Sequence, residues 1–184
     1  VINDSTNSLI AGGKIFIKNG TYILTQAITD QGRDHVELEL EAGAILRAGT
    51  NLNTHPLNII GRNDWYIHGG EVDGNKENQS VVVEYFCIEL NSVTHSKVEG
   101  VYVHHSKQYG IHLSGTSNDI ELRRNLLTYN AWNGIEVGSS AYDVIILENI
   151  IEHSSDVGIT SYGTGVTISN NISRYMDGAD GSFN

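Results

Sequence analysis

The chain has one proline, one cysteine and few basic residues among its 184 residues. The lone Cys87 cannot form a disulfide within the chain, so no disulfide framework supports the fold. Lysine and arginine total 11 against 22 aspartate and glutamate residues, which gives a net charge of −11 and no basic footprint for nucleic acid. No apolar run has the length of a membrane-spanning helix. We therefore expect neither a nucleic-acid partner nor a membrane span.

Helical periodicity is also missing beyond the first few residues. Residues 1–13 resemble the remnant of an N-terminal capping helix and the loop after it. The rest of the chain combines short apolar strands with 20 glycines, a composition typical of strands joined by tight turns. No linker or low-complexity tract divides it, so we predict a single all-β domain over residues 1–184.

The second half of the chain repeats one pattern four times. Segments of 23, 24, 24 and 23 residues begin at Cys87, Gly110, Gly134 and Gly158. Each segment opens with an alternating apolar strand and continues to a second apolar run. These second runs are Val98–Val103, Ile120–Leu127, Val144–Ile151 and Val166–Ile172. A period in the twenties that is built from strands indicates a β-solenoid, in which each repeat forms one coil.

Equivalent positions in successive coils form ladders, because neighbouring coils lie about 4.8 Å apart. Two apolar ladders are predicted to point inward: Ile88, Ile111, Ile135 and Ile159 in one, and Leu90, Leu113 and Val137 in the other. A hydrogen-bonded asparagine ladder at an internal turn is predicted from Asn125, Asn149 and Asn171. The ladder between the two apolar ones, here named the outward ladder, consists of Glu89, His112, Glu136 and Thr160.

The first half of the chain contains strands without a regular repeat. Extended segments are predicted at residues 14–18, 21–28, 35–40, 43–47, 57–60 and 65–68. Residues 69–75 are predicted to turn the chain, and residues 81–86 to lead into the repeats.

Three segments of the first half resemble a known family. Gly12–Tyr22 is a glycine-rich strand that ends in a Gly-x-Tyr turn, Leu38–Leu46 follows it, and Gly70–Asn75 is similar to an Ile-Asp-Gly-Asn turn. Together with the coils that follow, they resemble the pectin-lyase-like superfamily over essentially the whole chain. The resemblance implies a single-stranded right-handed parallel β-helix, a fold carried by lyases, hydrolases, epimerases, phage spikes and binding proteins.

The family's active-site motifs match only in part. The regular coils lack the clustered aspartates, the Gly-His-Gly-type turn and the Arg-x-Lys of polygalacturonase-like hydrolases. Arg123 and Arg124 lie on a second strand, away from the outward ladder, unlike the arginines of pectate lyases. Tyr109–Ser114 is similar to the Tyr-Gly-x-Asp-Pro-His strand of alginate C5-epimerases, with His112 at the Asp position and Ser114 at the His position. Gly138 stands where a second Asp is usual.

The outward ladder carries residues suited to lyase or epimerase chemistry. That chemistry removes the proton beside a sugar carboxylate and needs a base and a proton donor. We predict a catalytic group of His112, Tyr109, Glu136 and Glu89, in which Tyr109 is the donor. The two glutamates lie two coils apart, about 9.6 Å, near the upper end of the spacing in inverting glycoside hydrolases. Candidate substrate-binding residues are Asn91, Ser114, Trp132, Thr160 and Tyr162.

The sequence leaves two classes of function open. The first is a carbohydrate-active enzyme that acts on an extracellular, uronate-containing polysaccharide by lyase- or epimerase-type proton abstraction. The second is a non-catalytic glycan-binding or structural module of a surface or spike protein. In the second case Glu89, His112 and Glu136 form only an exposed ladder of cross-strand pairs. Both imply an extracellular or cell-surface location.

Other polar groups favour structural roles over metal binding. His105, Tyr129 and His153 share one column, and Tyr129 separates the two histidines, so they are not expected to share a metal. The acidic turns Asp73–Asn75 and Asp177–Asp180 have few ligands for calcium, which favours turn chemistry. Calcium is the one candidate cofactor.

The ends of a solenoid expose unpaired strand edges and apolar interior. Gly181–Phe183 repeats the pattern that opens the earlier coils, and no capping sequence follows it. We expect the native protein to continue beyond Asn184, or its open ends to self-associate.

Overall fold

A computed structural model describes residues 2–9, 11–80 and 84–176. The described residues form one short α-helix, α1 (Ile2–Ser8), one 3₁₀ turn (Lys76–Asn78) and twenty strands. The strands are β1 (Gly13–Ile17), β2 (Gly20–Leu24), β3 (Ile28–Thr29), β4 (Val36–Leu40), β5 (Ala44–Ala48), β6 (Leu57–Ile60), β7 (Trp65–His68), β8 (Glu71–Asp73), β9 (Ile88–Asn91), β10 (Thr94–Glu99), β11 (Tyr102–His104), β12 (Ile111–Ser114), β13 (Asn118–Arg123), β14 (Leu126–Thr128), β15 (Ile135–Val137), β16 (Tyr142–Leu147), β17 (Ile150–Glu152), β18 (Ile159–Ser161), β19 (Thr167–Ser169) and β20 (Ile172–Arg174).

The strands form three parallel sheets, each of which takes every third strand. Sheet 1 has the order β1-β4-β7-β10-β13-β16-β19, and sheet 2 has the order β2-β5-β8-β11-β14-β17-β20. Sheet 3 has the order β3-β6-β9-β12-β15-β18. One strand from each sheet makes one coil, so the chain winds through about seven coils. The prediction of an all-β parallel solenoid is therefore confirmed.

The apolar interior follows from the two-residue period of a strand, which sends alternate side chains inward. Both predicted inward ladders are confirmed by the register of sheet 3: Ile88, Ile111, Ile135 and Ile159 in one, and Leu90, Leu113 and Val137 in the other. All of these side chains are buried except that of Ile159, which is partly exposed in the last described coil of sheet 3.

The asparagine ladder is also confirmed. Asn125 Nδ2 donates to Asn149 Oδ1 at 3.0 Å, and Asn149 Nδ2 donates to Asn171 Oδ1 at 3.0 Å. Each side-chain oxygen also accepts from the backbone N–H of the asparagine one coil before it. The ladder therefore holds the corner between sheets 1 and 2 in the same geometry from coil to coil.

Some element boundaries differ from the predicted ones. Residues 69–75 are not only a turn, because β8 lies within them and pairs with β5 and β11. Gly69 and Gly70, with φ of 72° and 55°, make the corner in two residues and leave the next three for a strand. A three-residue strand is too short to show a period in the sequence. Each second apolar run of the repeats comprises two strands, as β13 and β14 do on either side of Asn125.

The helix α1 contacts β1 and β3. None of the helices in the described part of the chain is long and apolar enough to cross a membrane. The predictions for Asp177–Asp180 and Gly181–Phe183, and part of the predicted lead-in at residues 81–86, lie outside the described residues.

Candidate active site

The outward ladder runs along sheet 3 in the predicted register. Glu89 pairs with His112, His112 with Glu136, and Glu136 with Thr160. The ladder is more buried than the exposed ladder expected for a non-catalytic module. Glu89 is only 5% exposed, and His112 and Glu136 are half-buried. The reason is an adjacent wall of aromatic side chains, which shields the polar groups from water.

Glu89 holds His112 in a defined orientation. Its Oε2 lies 2.7 Å from His112 Nδ1, and its Oε1 accepts a hydrogen bond from the Ser114 hydroxyl. Ser114 belongs to the same strand as His112, two residues further on, so both side chains leave the same face of sheet 3. A carboxylate at Nδ1 fixes the imidazole ring and leaves Nε2 to face the next coil.

Glu136 accepts hydrogen bonds from two side chains, one beside its own strand and one from the coil below. Asn133 Nδ2 donates to Glu136 Oε2 at 3.0 Å, and it also reaches Thr160 Oγ1 at 3.2 Å. The Tyr109 hydroxyl donates to Glu136 as well. Burial raises the pKa of Tyr109 well above its usual value, and the hydrogen bond to Glu136 raises that pKa further. His112 Nε2 lies 3.9 Å from Glu136 Oε1, beyond hydrogen-bonding distance.

Aromatic rings form the wall beside the ladder. His55 stacks on Phe86 at 4.8 Å between ring centroids, and Phe86 stacks on Tyr109 at 5.0 Å. Phe86 also packs against His112 at 4.4 Å, and Trp132 meets Tyr109 edge-on at 5.7 Å. Burial lowers the pKa of His55, whose Nδ1 accepts a hydrogen bond from the Phe86 backbone at 3.1 Å.

The structure brings most of the predicted site residues together. Linked by hydrogen bonds or ring contacts are Glu89, Tyr109, His112, Ser114, Trp132, Glu136 and, through Asn133, Thr160. Asn91 lies in register with Ser114, but its side chain accepts from Ser92 Oγ at 3.0 Å. Tyr162 directly follows β18 and is 64% exposed.

Sequence reasoning missed Asn133, Phe86, His55 and Asn58. Phe86, Tyr109 and Asn133 each stand directly before the residue that opens a coil, and His55 precedes the equivalent Pro56. Aligning that position would have revealed one column beside the ladder. Asn58 extends the outward ladder one coil below Glu89, and its buried Oδ1 has no hydrogen-bond partner among the described residues.

The basic residues of the repeats lie elsewhere, as predicted. Arg123 is in β13 of sheet 1, where it meets Glu148 at 3.3 Å. Arg124 pairs with Glu99 and Glu148. Among the described ion pairs, none joins an arginine or lysine to the outward ladder.

Metal-ligating groups gather at two places in the described part of the chain, neither of them on the ladder. One cluster is Asp73, His104 and His105, and the other is Glu37, Glu39 and His68. In the acidic turn Asp73–Asn75, Asp73 Oδ1 accepts from the Asn75 backbone N–H at 2.7 Å, which is the predicted turn role. The predicted column of His105, Tyr129 and His153 is a ring stack, with centroids 5.4 Å and 4.8 Å apart, so Tyr129 does separate the histidines.

A cavity in the described part of the chain lies apart from the ladder. It has a volume of about 630 Å³ and lies at the first coil, where its lining includes Ile15, Phe16, Tyr22 and Ile28. Its lining is largely apolar and contains no histidine or acidic side chain. The candidate site is therefore the outward ladder, on the strength of its polar groups.

Comparison with known proteins bears on the fold. A family model described as the right handed beta helix region matches residues 2–173. No curated protein matches the sequence. The chain is similar in structure to a candidate glycosyl hydrolase from Parabacteroides merdae, at 15% identity and a TM-score of 0.77, over 93% of this chain and 83% of that one. It is also similar to ORF18 of Geobacillus virus E2, at 10% identity and a TM-score of 0.55, over 86% of this chain and 46% of that one.

Identities this low establish likeness of fold and not of activity. The family match, in contrast, includes both the irregular first coils and the repeats that carry the outward ladder. It also confirms the predicted hand of the solenoid. The chain therefore belongs to the right-handed β-helix family.

Proposed function

We propose that this chain is a carbohydrate-active enzyme that works at the outward ladder by proton abstraction. Its proposed substrate is a uronate-containing polysaccharide, outside the cell or at its surface. The observation that carries the proposal is the 2.7 Å contact between Glu89 Oε2 and His112 Nδ1, beside a shielded tyrosine hydroxyl. A carboxylate that orients one nitrogen of an imidazole leaves the other nitrogen for proton transfer.

His112 is the proposed base and Tyr109 the proposed proton donor. With Nδ1 bound to Glu89, the base is Nε2, which is separated from Glu136 by 3.9 Å. The raised pKa of Tyr109 keeps its hydroxyl protonated at neutral and mildly alkaline pH. Tyr109 therefore always has a proton to give in the pH range where a neutral imidazole can accept one.

The proposed step balances without a further reactant. Nε2 of His112 takes the proton from the carbon beside the sugar carboxylate. In a lyase, the C–O bond on the next carbon breaks, a C=C bond forms, and the leaving oxygen takes its proton from Tyr109. In an epimerase, Tyr109 instead returns a proton to the first carbon from the opposite face.

The same geometry argues against glycoside hydrolysis. An inverting hydrolase needs water between its two carboxyl groups, one of which must carry a proton. Here the imidazole of His112 occupies the coil between Glu89 and Glu136. Each glutamate also accepts from two side chains, His112 and Ser114 in one case and Asn133 and Tyr109 in the other.

Negative charge that develops on the substrate carboxylate requires hydrogen-bond donors. The uncharged donor proposed here is the side-chain amide of Asn91, one coil below Ser114, because Ser114 and Asn133 already donate to Glu89 and Glu136. Neither described cluster of metal-ligating groups lies on the ladder. No step of the proposal runs through calcium, and assays with and without a chelator are expected to agree.

Incubation with alginate, pectate and other uronans tests the proposal. A lyase product is detected by the ultraviolet absorbance of its new double bond, and epimerisation is detected by proton NMR. His112→Ala is expected to lower the rate by about 10²–10⁴-fold, the usual contribution of a general base. The matched control is His68→Ala, because His68 is also half-buried and contacts a carboxylate, Glu37, at 3.0 Å, but lies on sheet 1. Equal losses in both variants would contradict the proposal.

A non-catalytic glycan-binding module is the second candidate, and the exposed aromatic residues near the ladder favour it. Trp132 is 47% exposed beside Tyr109, so part of its indole is open to contact with a sugar. If the protein changes none of the uronans but binds one of them, and Trp132→Ala abolishes that binding, the module is supported and the enzyme is excluded.

A further inference from the structure

A second group of polar side chains lies on sheet 2, apart from the outward ladder. Strand β8 pairs with β11 in a register that places Asp73 beside His104. His105 follows β11 with a left-handed φ of 53°, which interrupts the alternation of side chains along the strand. The Nδ1 atoms of His104 and His105 consequently lie 2.5 Å apart.

Glu71 selects the tautomer of His104. Its Oε1 lies 2.8 Å from His104 Nε2, and a carboxylate can only accept there. A neutral His104 therefore carries its proton on Nε2 and presents a bare Nδ1 to its neighbours. A carboxylate behind the outer nitrogen of a histidine is the usual support of a metal-ligating imidazole.

Asp73 completes a set of three ligand atoms. Its Oδ1 lies 3.7 Å from His104 Nδ1, while its Oδ2 is engaged by Arg47 Nε at 3.3 Å. Oδ1 also accepts from the Asn75 backbone, which uses one of its two lone pairs and leaves the other. Asp73 and His104 are 7% and 6% exposed, and His105 is partly exposed, so the three atoms form a shielded site with one open side.

We propose that Asp73, His104 and His105 bind one divalent transition-metal ion, with zinc as the reference ion. Two imidazole nitrogens and one carboxylate oxygen suit zinc and its neighbours in the first row and do not suit calcium or magnesium. Three protein ligands leave a fourth position for water. Because Asp73 and His104 belong to neighbouring coils, the ion would join those coils.

The adjustment that the ion requires is small. Metal–nitrogen bonds of about 2.0–2.1 Å in a tetrahedral site separate the two nitrogens by roughly 3.3 Å. The Nδ1 atoms must therefore move apart by under 1 Å from their 2.5 Å contact, a change that ring rotation supplies. His105 is held for this by stacking on Tyr129 at 5.4 Å.

The other cluster of ligating groups illustrates the opposite case. In the group of Glu37, Glu39 and His68, the ammonium of Lys14 contacts both carboxylates, at 3.0 Å from Glu37. A cation is thus already part of that cluster. At the sheet 2 cluster Arg47 contacts only Oδ2 of Asp73, which leaves Oδ1 toward the histidines, and Lys76 donates to the Tyr129 carbonyl at 2.7 Å.

The test is metal binding by the tag-free 184-residue chain after chelator treatment and dialysis. Titration calorimetry is expected to show one zinc ion per chain, and the melting temperature is expected to rise with zinc. Cobalt(II) provides a second readout, because its visible absorption reports nitrogen and oxygen ligands directly. His105→Ala should weaken zinc binding at least tenfold, and Glu71→Gln should weaken it by about 10–100-fold through the loss of orientation.

The matched control is His153→Ala, since His153 occupies the same ring stack two coils further on and lies outside the cluster. It should bind zinc as the unchanged protein does. Circular dichroism of each variant checks that the fold is retained. Absence of saturable one-to-one zinc binding, equal zinc affinity in the unchanged protein and in His105→Ala, or preference for calcium would each overturn the proposal. If His104 and His105 form only a hydrogen-bonded pair and no metal site, saturable one-to-one zinc binding will be absent.

Discussion

At the scale of single residues, the site depends on which polar atoms are kept from water. Glu89 and Tyr109 project from the outer face of the solenoid, yet Glu89 is buried and Tyr109 is partly covered by the ring of Phe86. In that shielded setting a hydrogen bond between charged or polar groups is stronger than it would be in water. The fixed orientation of His112 and the raised pKa of Tyr109 both follow from this shielding from water.

The raised pKa of Tyr109 predicts a group that does not ionise with ordinary tyrosines. An unperturbed tyrosine titrates at about pH 10. Because the folded-state pKa of Tyr109 is higher than the unfolded value, the protein keeps this proton through that region. Tyr109→Phe is therefore expected to leave the amplitude of the tyrosinate absorbance step near pH 10 unchanged. A smaller step in the variant would contradict the assignment.

The same shift has a consequence for stability. A group whose folded-state pKa is raised contributes stability below its unfolded pKa, and this contribution is lost as pH rises beyond that value. Tyr109, and the buried Tyr85 whose pKa burial also raises, should make the protein less stable above about pH 10. In Tyr109→Phe the fall in melting temperature over that range is expected to be smaller. An equal fall would show that Tyr109 does not contribute.

At the scale of the coil, the repeat is held together by polar ladders as well as by apolar ones. Asn149 is fully buried, and its side chain joins three coils through bonds to Asn125, Asn171 and the Leu122 carbonyl. Backbone groups at a tight corner would otherwise be buried without partners, which is costly. The ladder thus makes a sharp turn compatible with a dry interior.

Loss of one rung should be far more costly than loss of a surface amide. Asn149→Ala removes these bonds and leaves buried partners unsatisfied, so we expect a loss of about 3 kcal/mol in unfolding free energy. The control is Asn118→Ala, because Asn118 is partly exposed and its side chain donates one hydrogen bond, to the Thr116 carbonyl at 3.0 Å. Urea unfolding measures both variants. Similar losses would mean that the ladder adds nothing beyond an ordinary hydrogen bond.

At the scale of the whole molecule, the solenoid is a one-dimensional stack in which each coil touches mainly its neighbours. The middle coils are therefore supported from both sides and the outer coils from one. Ile111 and Ile135 are fully buried, whereas Ile168, in the last described strand of sheet 1 and in register with the buried Ile146, is 48% exposed.

Hydrogen exchange should follow this gradient. In the 184-residue chain, backbone amides of β12 and β15 are expected to exchange most slowly, since their opening requires that neighbouring coils separate. Amides of β19 and β20 should exchange earliest among the repeats. Mass spectrometry of peptides from timed exchange reads this directly, and uniform protection along the chain would contradict a stack that opens from its ends.

The sequence by itself determined the architecture of the repeats. A spacing of 23 or 24 residues with alternating strands allows equivalent residues to stack in only one way, so the register of Glu89, His112 and Glu136 followed from counting. The asparagine corner followed for the same reason. The spacing of residues predicted less in the first half of the chain, because strands β3 and β8 are too short to show an alternating pattern.

Only the tertiary structure decided the character of the site and revealed the second one. Shielding of the ladder involves Phe86, which stands before the strand and packs its ring against His112. The pairing of Asp73 with His104 depends on a register across 31 residues, and the approach of His105 depends on one left-handed φ. The local sequence does not reveal these features, because burial and the approach of side chains depend on residues from neighbouring coils.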